Sequence, residues 1–503
     1  ELLAAGCLLL ALTAMSCGNE ANPSPVQSGS EGDSGVPSAP VTEEPSTESN
    51  VVYDIPEPEL PELDLTGQTF TYYCQSFVNT ASDVSGDARF VDRDFLYSES
   101  LIGEVVNDAV FNRNLQVEQK FGCSVNLIFK ETSPDVLVMG GDNSFDIICT
   151  SSTILGDTMG SGAYLDFTDV PYLNLTSEYW SPFCVRDTIF RGRLYMMPND
   201  TCLMPLANTG FLYFNKRILS ENDMENPYDM VHSNTWTVDN WLNMIKQVHA
   251  DLNGDGVMDM EDLYGALVMA HFRMNCFVQF YFGSGRTLTK EDPDAGRVIA
   301  VDGEFVQSLI DKLSPVLEDK TICMDWNDIR RITGGPEPYE VMFMEGHCMF
   351  IQADIGSMDK FREMPDDFGI VPNPKYDSSQ EYFYHRVNSS VSMFAIPATV
   401  TDFEKLGAVT EYTAWLSHYT VLPAYYEITV KQKRTRDEDA IEMLDIIRKT
   451  MVFEFGDVYD TWIPNYLYDS YLDGSYTRKM GSNLKLLNRR LLKYTKMLDG
   501  LGD

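Results

Sequence analysis

Short apolar runs alternate along the chain with longer stretches in which apolar residues recur at helical spacing. The continuous run 145–149 is typical of a strand buried in a parallel sheet, and residues 70–74 have a similar strand pattern. Between them, apolar residues fall near one face from 102 to 121, and Gly122 follows as a helix-ending residue. Strand, helix and strand in this order predict an α/β fold with crossover connections.

The alternation continues to the C-terminus. Further predicted strands cover residues 125–129, 212–214, 346–352, 368–374 and 394–397, and further predicted helices cover 304–317, 403–416 and 440–449. Thr235 or Thr237 caps another helix, with Asp239 in its first turn. No internal repeat and no transmembrane helix is predicted.

The N-terminus carries a targeting pattern. Residues 8–12 are apolar but too few to span a bilayer, and small residues precede Cys17. The pattern resembles a bacterial lipoprotein signal, which implies a signal peptide over residues 1–17 and a lipid on Cys17. The protein would then sit on the extracellular face of the cytoplasmic membrane, or its periplasmic side where an outer membrane exists. An ordinary signal peptide, a buried cysteine, or cleavage at Cys7 are the alternatives.

The segment 18–65 differs from the rest of the chain in composition. It is rich in Ser, Pro, Gly and Glu and nearly lacks large apolar side chains. Such a segment cannot bury a core, so we predict a disordered tether between the lipid and the folded part.

Charge and cysteine usage narrow the classes of partner. The chain has 503 residues, with 37 basic and 76 acidic side chains and a formal charge of −39. This argues against nucleic acid and against charge-driven docking on anionic lipid. The length predicts two or three domains. The ten cysteines form no Cys-x-x-Cys pair, so no zinc site is indicated, and most of those outside the leader are expected to be small buried thiols.

The stretch 210–265 carries a set of short motifs in a fixed order. They are Tyr213, Asn215 and Lys216 at a strand end, Thr235, Trp236 and Trp241 at a helix start, the Asp/Asn/Gly run 251–259, and Tyr264 with Gly265. Their order resembles the extracellular solute-binding proteins of the sugar-binding type, family 1, the solute-capturing component of ABC importers. The resemblance continues at Gly346, 368–375 and 391–397, and covers the chain from Gly67 onward.

The resemblance implies a two-lobed α/β fold of the type II periplasmic-binding-protein kind, with a ligand cleft and a hinge between the lobes. Lobe 1 would comprise residues 66–203 and 390–452, and lobe 2 residues 205–385 and 455–503. The chain would cross between lobes near 200–210, 385–393 and 452–456. Hinge closure would bury the solute between the lobes.

Polar side chains directly after strands lie where open α/β sheets bind ligands. By position against the family, the predicted solute contacts are Gln75, Thr150, Ser151 and Thr153 in lobe 1, Asn208 at the first crossing, His271, Phe272, Arg273, Asp354 and Met358 in lobe 2, and Phe455 near the third crossing. Turn and helix-cap roles are the alternative for the polar residues. A sugar needs hydrogen bonds and aromatic stacking. Because 353–356 lacks the Trp common in oligosaccharide binders, a modified sugar or a peptide stays open.

The acidic run also matches a calcium loop. Asp251, Asn253, Asp255, Asp259 and Asp262 fit the side-chain ligand positions of an EF-hand-like loop, with the Val257 carbonyl as a further ligand and Gly256 at the turn. Asp262 is shorter than the usual Glu, and Glu261 could substitute for it. One structural Ca²⁺ is therefore predicted, with an unliganded acidic turn as the alternative.

The predicted function is capture of a solute, in the first place a carbohydrate, and its delivery to the permease subunits of an ABC transporter. The protein would act as a lipid-anchored monomer without catalysis, because the transporter supplies the ATPase. A surface ligand-binding or sensor module not coupled to transport is one alternative, and a secreted glycoside hydrolase is another. The histidines show no His-x-x-x-His spacing and there is no Gly-x-Ser-x-Gly elbow, so an enzyme is not predicted.

Overall fold

The computed structural model describes residues 56–75, 92–269, 276–334, 338–361, 364–387, 390–430 and 438–500. All of them fall within one compact unit. The residues predicted as the signal peptide and most of the predicted tether lie outside the described residues. No helix among the described residues combines the length and the apolar character that a membrane span requires.

The strands are short, and most of their side chains are buried. In chain order they are β1 Thr69–Gln75, β2 Ser124–Lys130, β3 Ile147–Ser151, β4 Tyr164–Leu165, β5 Phe211–Asn215, β6 Tyr264–Val268, β7 Thr289–Asp292, β8 Gly296–Ile299, β9 Cys323–Asp325, β10 Cys348–Ala353, β11 Phe368–Val371, β12 His385–Arg386, β13 Ser392–Pro397 and β14 Met451–Val452. Strand patterns predicted at 70–74, 125–129 and 212–214 fall inside β1, β2 and β5, and the run 145–149 overlaps β3.

Helices fill the connections between these strands. The first ten are α1 Asp92–Leu96, α2 Val105–Phe121, α3 Pro134–Met139, α4 Ser152–Thr158, α5 Pro182–Thr188, α6 Met204–Ala207, α7 Lys216–Glu221, α8 Pro227–His232, α9 Val238–Ile245 and α10 Cys276–Gly283. The remaining ones are α11 Gly303–Leu317, α12 Trp326–Thr333, α13 Pro338–Met344, α14 Met358–Phe361, α15 Phe403–Tyr419, α16 Val421–Val430, α17 Glu438–Lys449, α18 Phe455–Val458, α19 Ile463–Leu472 and α20 Ser482–Gly500.

Local sequence signals explain where several helices begin and end. Helix α2 begins after Glu104, whose side chain accepts the amide of Asn107, and it ends at Gly122 with φ 71°. Thr237 accepts the amide of Asn240 and so caps α9, one of the two caps that the sequence predicts. Gly346, predicted as the first residue of a strand, instead forms a turn with φ 80° before β10, because only glycine adopts this backbone at little cost.

The first sheet has the strand order β2-β1-β3-β13-β4. Strands β1, β2 and β3 run parallel, whereas β13 is antiparallel to β3 and β4. The carboxyl ends of the parallel strands therefore share one edge, which carries Gln75 and Ser151. Ser392, the first residue of β13, lies opposite Ser151 at the same edge.

The second sheet has the order β11-β5-β10-β6-β9. Strands β6, β9 and β10 run parallel, and β5 is antiparallel to both β10 and β11. The carboxyl ends of the parallel strands carry Val268, Asp325 and Ala353. Each sheet thus has an edge of the kind at which open α/β sheets bind ligands.

Three segments of the chain lie side by side between the two sheets, and two of them, the one between β4 and β5 and the one between β11 and β13, join strands of different sheets. The first ends at Thr209, which forms a backbone bridge with Val387. Strand β12 pairs in parallel with β14, with His385 opposite Met451. The three segments pass through the stretches at which the family resemblance places its crossings. The predicted lobe boundaries, 66–203 with 390–452 and 205–385 with 455–503, stay a prediction.

Buried polar side chains hold these segments together. Arg386 forms an ion pair with Asp457 in which Nε lies 2.6 Å from Oδ2, and both side chains are almost fully buried. Burial lowers the pKa of His385 to about 3, so its imidazole is neutral. The Nε2 atom of His385 accepts a hydrogen bond from the Asn373 amide at 2.9 Å.

The eight described cysteines are free thiols, and each is buried, as predicted for most of them. Cys149 lies in β3 of the first sheet, and Cys323 and Cys348 lie in β9 and β10 of the second. Burial raises the pKa of the Cys149 thiol well above its ordinary range, which keeps it protonated and unreactive. These cysteines act as small apolar side chains of the core.

Candidate functional site

The edge of the first sheet brings together several predicted solute contacts. Gln75, Thr150 and Ser151 are all buried there. The Thr150 hydroxyl lies 3.4 Å from Gln75 Oε1, and Gln75 Nε2 donates to the Glu131 carbonyl at 3.0 Å. Ser151 Oγ accepts the amide of Thr153 and caps α4. These side chains lie at the predicted position, and they also have hydrogen-bond partners within the protein. Both predicted roles, solute contact and turn or helix cap, therefore stay predictions.

Asp92 lies at the same edge but does not stand out in the sequence. It opens α1, and its Oδ1 accepts the Cys202 thiol at 3.6 Å. Burial raises the pKa of Asp92 to about 6, and hydrogen bonds from Ser392 and Cys202 partly offset the shift. Only the fold distinguishes Asp92 from the other acidic residues, because folding brings this side chain next to residues more than one hundred positions away in the sequence.

The edge of the second sheet is more apolar. Asp354 follows β10, and its carbonyl accepts the Tyr213 hydroxyl at 2.6 Å. Met358 is buried at the start of α14. Gln352 is also buried, and its Oε1 has no hydrogen-bond partner among the described residues. The predicted contacts His271, Phe272 and Arg273 lie outside the described residues.

The two predicted contacts at the crossings are both buried. The Asn208 side chain donates from Nδ2 to the Met204 carbonyl at 3.0 Å, at the end of α6. Phe455 is fully buried, with the ring of Tyr459 4.3 Å away and the Arg297 guanidinium 4.8 Å from its ring centroid. In this conformation both side chains serve the packing around the connections, and their contact with a solute stays a prediction.

A buried polar network surrounds the third connecting segment. Glu454 accepts hydrogen bonds from the amide and the hydroxyl of Thr289, at 2.7 and 2.6 Å, and from the amide of Gly456. Burial raises the pKa of Glu454 to about 7, and the bond from Thr289 partly offsets the shift. Arg297 donates to the carbonyls of Asp187 and Ile189. The β7–β8 hairpin is thereby joined both to the end of α5 and to the start of α18.

The predicted calcium loop is closed by its own hydrogen bonds. Asp251 accepts the amides of Gly254 and Gly256, and Asp262 accepts the amides of Leu252 and Asp259. These amides, that of Asp259 first, lower the pKa of Asp262 below its usual range. No three or more His, Cys, Asp or Glu side chains converge as a metal-holding group within the described part of the chain.

The backbone of the loop nevertheless matches a calcium loop at its turn. Gly256 adopts φ 81°, the left-handed conformation that the sixth position requires. Asp251, Asn253 and Asp255 are exposed, so their outer lone pairs remain accessible to a cation. The donor set therefore fits in type and spacing, and the ion itself stays a proposal.

The fold is similar to that of several solved structures. A sugar transporter protein of Rhizobium etli in an open conformation matches at 12% identity and a TM-score of 0.53, over 84% of this chain and 99% of that one. The Mycobacterium tuberculosis protein UspC matches at 12% identity and 0.52, over 84% of this chain and 100% of that one. A cyclo/maltodextrin-binding protein complexed with maltotetraose matches at 10% identity and 0.50, over 85% and 96%.

These likenesses establish the fold. The chain has the two-lobed, type II periplasmic-binding-protein-like α/β architecture, as its sequence predicts. No protein-family model matches the chain. No curated protein matches it.

Glu454 gives the folded state a distinct pH dependence. Its pKa of about 7 in the fold exceeds the ordinary value, so the folded state binds more protons than the unfolded state between about pH 4.3 and 7. Its contribution to stability is therefore complete below this window and is lost as the pH rises through it. In the wild type, this titration should lower the free energy of unfolding by up to about 1.4 kcal/mol per pH unit between pH 5 and 7.5. We expect urea unfolding of Glu454→Gln to lack this decrease.

The matched control for this experiment is Glu304→Gln, which changes an exposed side chain at the start of α11. It should leave the pH dependence of the unfolding free energy as in the wild type. Parallel slopes for the wild type and Glu454→Gln would contradict the assignment of this titration to Glu454.

Proposed function

We propose that this protein captures a solute, in the first place a carbohydrate, outside the cytoplasm and delivers it to an ABC transporter permease. The observation that carries the proposal is the pair of α/β sheets with three adjacent segments of chain between them, a fold similar to that of a solved cyclo/maltodextrin-binding protein and a solved sugar transporter. The solute would lie between the two lobes and be enclosed when they close. The protein would act as a monomer without catalysis of its own.

The chemistry of the sheet edges supports a carbohydrate ligand. Sugars present hydroxyl groups at their rims and apolar patches on their ring faces, so a site needs both kinds of contact. The first sheet supplies the polar groups of Gln75, Thr150 and Ser151, and the second supplies Asp354 and the apolar Met358. Phe272 would supply an aromatic face. A similar solved protein holds maltotetraose, which makes maltooligosaccharides the first ligands to test.

We also infer that the protein is held at the membrane through Cys17. A flexible tether over residues 18–65 would span on average about 5–6 Å × √n, roughly 35–40 Å. That reach keeps both lobes close to a permease while allowing them to turn towards it. Only the closed, loaded form would present the two lobes together for docking.

Calorimetry tests the solute assignment. We expect saturable heat on titration of the full chain with at least one sugar from a panel that includes glucose, maltose and maltotetraose. Asp354→Ala should weaken that binding by about tenfold or more, since a hydrogen bond to a charged group contributes about 1.5–3 kcal/mol. The control Asp377→Ala alters an exposed turn and should leave the affinity unchanged. An absence of heat with every sugar would overturn the carbohydrate assignment.

We further propose one structural Ca²⁺ in the loop 251–262. Asp251, Asn253, Asp255 and Asp259 would supply side-chain oxygens, with the Val257 carbonyl and Asp262 completing the shell. A ligand that binds only the folded state raises its melting temperature. Millimolar Ca²⁺ should therefore raise the melting temperature relative to a chelator, and the double variant Asp251→Ala/Asp255→Ala should abolish the difference. Identical melting curves with calcium and with chelator would exclude a structural ion.

A further inference from the structure

Basic side chains are concentrated near the C-terminus of an otherwise acidic chain. The whole sequence has 37 basic and 76 acidic residues, whereas residues 474–498 contain no Asp or Glu. The basic residues of this stretch are Arg478, Lys479, Lys485, Arg489, Arg490, Lys493 and Lys496. Most of the stretch forms α20, so the packing of this helix decides where the charges lie.

One face of α20 is buried against the rest of the protein. Its almost fully buried side chains are Leu487, Leu491, Tyr494 and Leu498. Near its C-terminal end the helix packs closely on the turn at Gly160, where an added Cβ would lie 2.5 Å from Met497 Cγ. The helix is therefore held in a fixed orientation, with its opposite face turned to solvent.

Three of the basic side chains have partners within the protein. Arg478 and Lys479 both pair with Asp473, and Nε of Arg478 lies 2.6 Å from its Oδ2. Arg490 donates from Nε to the Asp460 carbonyl at 2.9 Å and forms an ion pair with the carboxylate of the same residue. These three side chains therefore stabilise the fold around α20.

The other four basic side chains form a stripe on the exposed face of α20. Lys485, Arg489, Lys493 and Lys496 are exposed, and they make no ion pair with any residue that the structure describes. At 3.6 residues per turn they fall within about 80° of the helix circumference, over a length of roughly 16 Å. We refer to these four side chains as the basic stripe.

The composition of this face favours a lipid surface over a protein partner. Three of the four side chains are Lys, which is depleted at protein interfaces, and Tyr494, the one aromatic residue of α20, is buried. Leu486 and Leu492 lie beside the basic stripe and are 40% and 44% exposed. Lysine and exposed leucine on one face are typical of helices that lie on anionic bilayers.

The total charge of the protein does not decide the behaviour of this face. A formal charge of −39 predicts repulsion from anionic lipid for the chain as a whole. At physiological ionic strength, however, exposed charges act over only about 8 Å. The side chains that touch a bilayer therefore count for more than those on the far side of the molecule.

We propose that the exposed face of α20 binds the anionic headgroups of a lipid bilayer. The side chains of the basic stripe contact lipid phosphate groups, and Leu486 and Leu492 enter the headgroup layer. This contact orients the protein with α20 against the membrane. It requires neither a bound solute nor a lipid on Cys17, so it is independent of the function proposed above.

Sedimentation with lipid vesicles tests this surface. The full chain is produced with Cys7 and Cys17 changed to Ser, so that no covalent lipid contributes. We expect it to bind vesicles of equimolar phosphatidylcholine and phosphatidylglycerol about tenfold or more tightly than pure phosphatidylcholine vesicles. Raising the salt from about 0.15 M to about 1 M should release it, because the Debye length falls from about 8 Å to about 3 Å.

A double variant assigns the binding to the basic stripe. Lys485→Gln/Lys496→Gln removes two of its charges, and Gln has a helix propensity close to that of Lys. Affinity for the anionic vesicles should fall by about fivefold per side chain, and thus by about 25-fold. The control Lys320→Gln/Arg331→Gln removes the same charge at positions that are 51% and 76% exposed, and it should bind as the parent protein does.

Three results would overturn the proposal. They are an absence of binding to the anionic vesicles, equal binding to the neutral and the anionic vesicles, and an equal loss of affinity in the two double variants. Binding of soluble polyglutamate without binding of anionic vesicles would assign the basic stripe to an acidic protein partner instead. No sugar is present in this experiment, so its failure bears on α20 alone and failure of the sugar titration on the proposed function alone.

Discussion

Backbone pairing among the three connecting segments is the constraint on which the rest of the structure depends. Thr209 bridges to Val387, and β12 pairs with β14, so one segment cannot bend without the others. The buried Arg386–Asp457 ion pair reinforces this arrangement, since removing one partner of such a pair costs roughly 3–5 kcal/mol. In the function proposed above, the movement that encloses a solute between the lobes would bend these three segments together.

Several buried acidic groups make the stability of the folded state depend on pH. Burial raises the pKa values of Asp92, Asp187 and Glu454, because the charged carboxylate is disfavoured away from water. Each of them makes the folded state less stable as the pH rises through its raised pKa. The large acidic excess of the chain supports solubility, whereas these few buried groups couple pH to the stability of the folded state.

Local signals in the sequence predict many of the helices and strands. They do not predict the roles of side chains that depend on contacts between distant parts of the chain. The apolar strands, the helix that Gly122 ends and the buried thiols follow from composition and spacing along short stretches. Asp92 and Glu454 could not be singled out, because their roles arise from contacts with residues far away in the chain, and acidic residues are frequent throughout it. Predicted contacts such as Phe455 were placed by resemblance, which gives a position along the chain but not the packing around it.

Closure about the connections can be measured with spin labels at Met139→Cys and Ile332→Cys, which replace exposed side chains on α3 and α12. Cys7 and Cys17 are changed to Ser, and the described native thiols are buried, so the labels attach at the new sites. A control pair at Leu101→Cys and Met139→Cys reports a distance between two positions that both lie within the predicted first lobe. We predict that a saturating sugar changes the distance across the lobes and leaves the control distance constant. An unchanged distance across the lobes under saturating, calorimetrically verified sugar would contradict it.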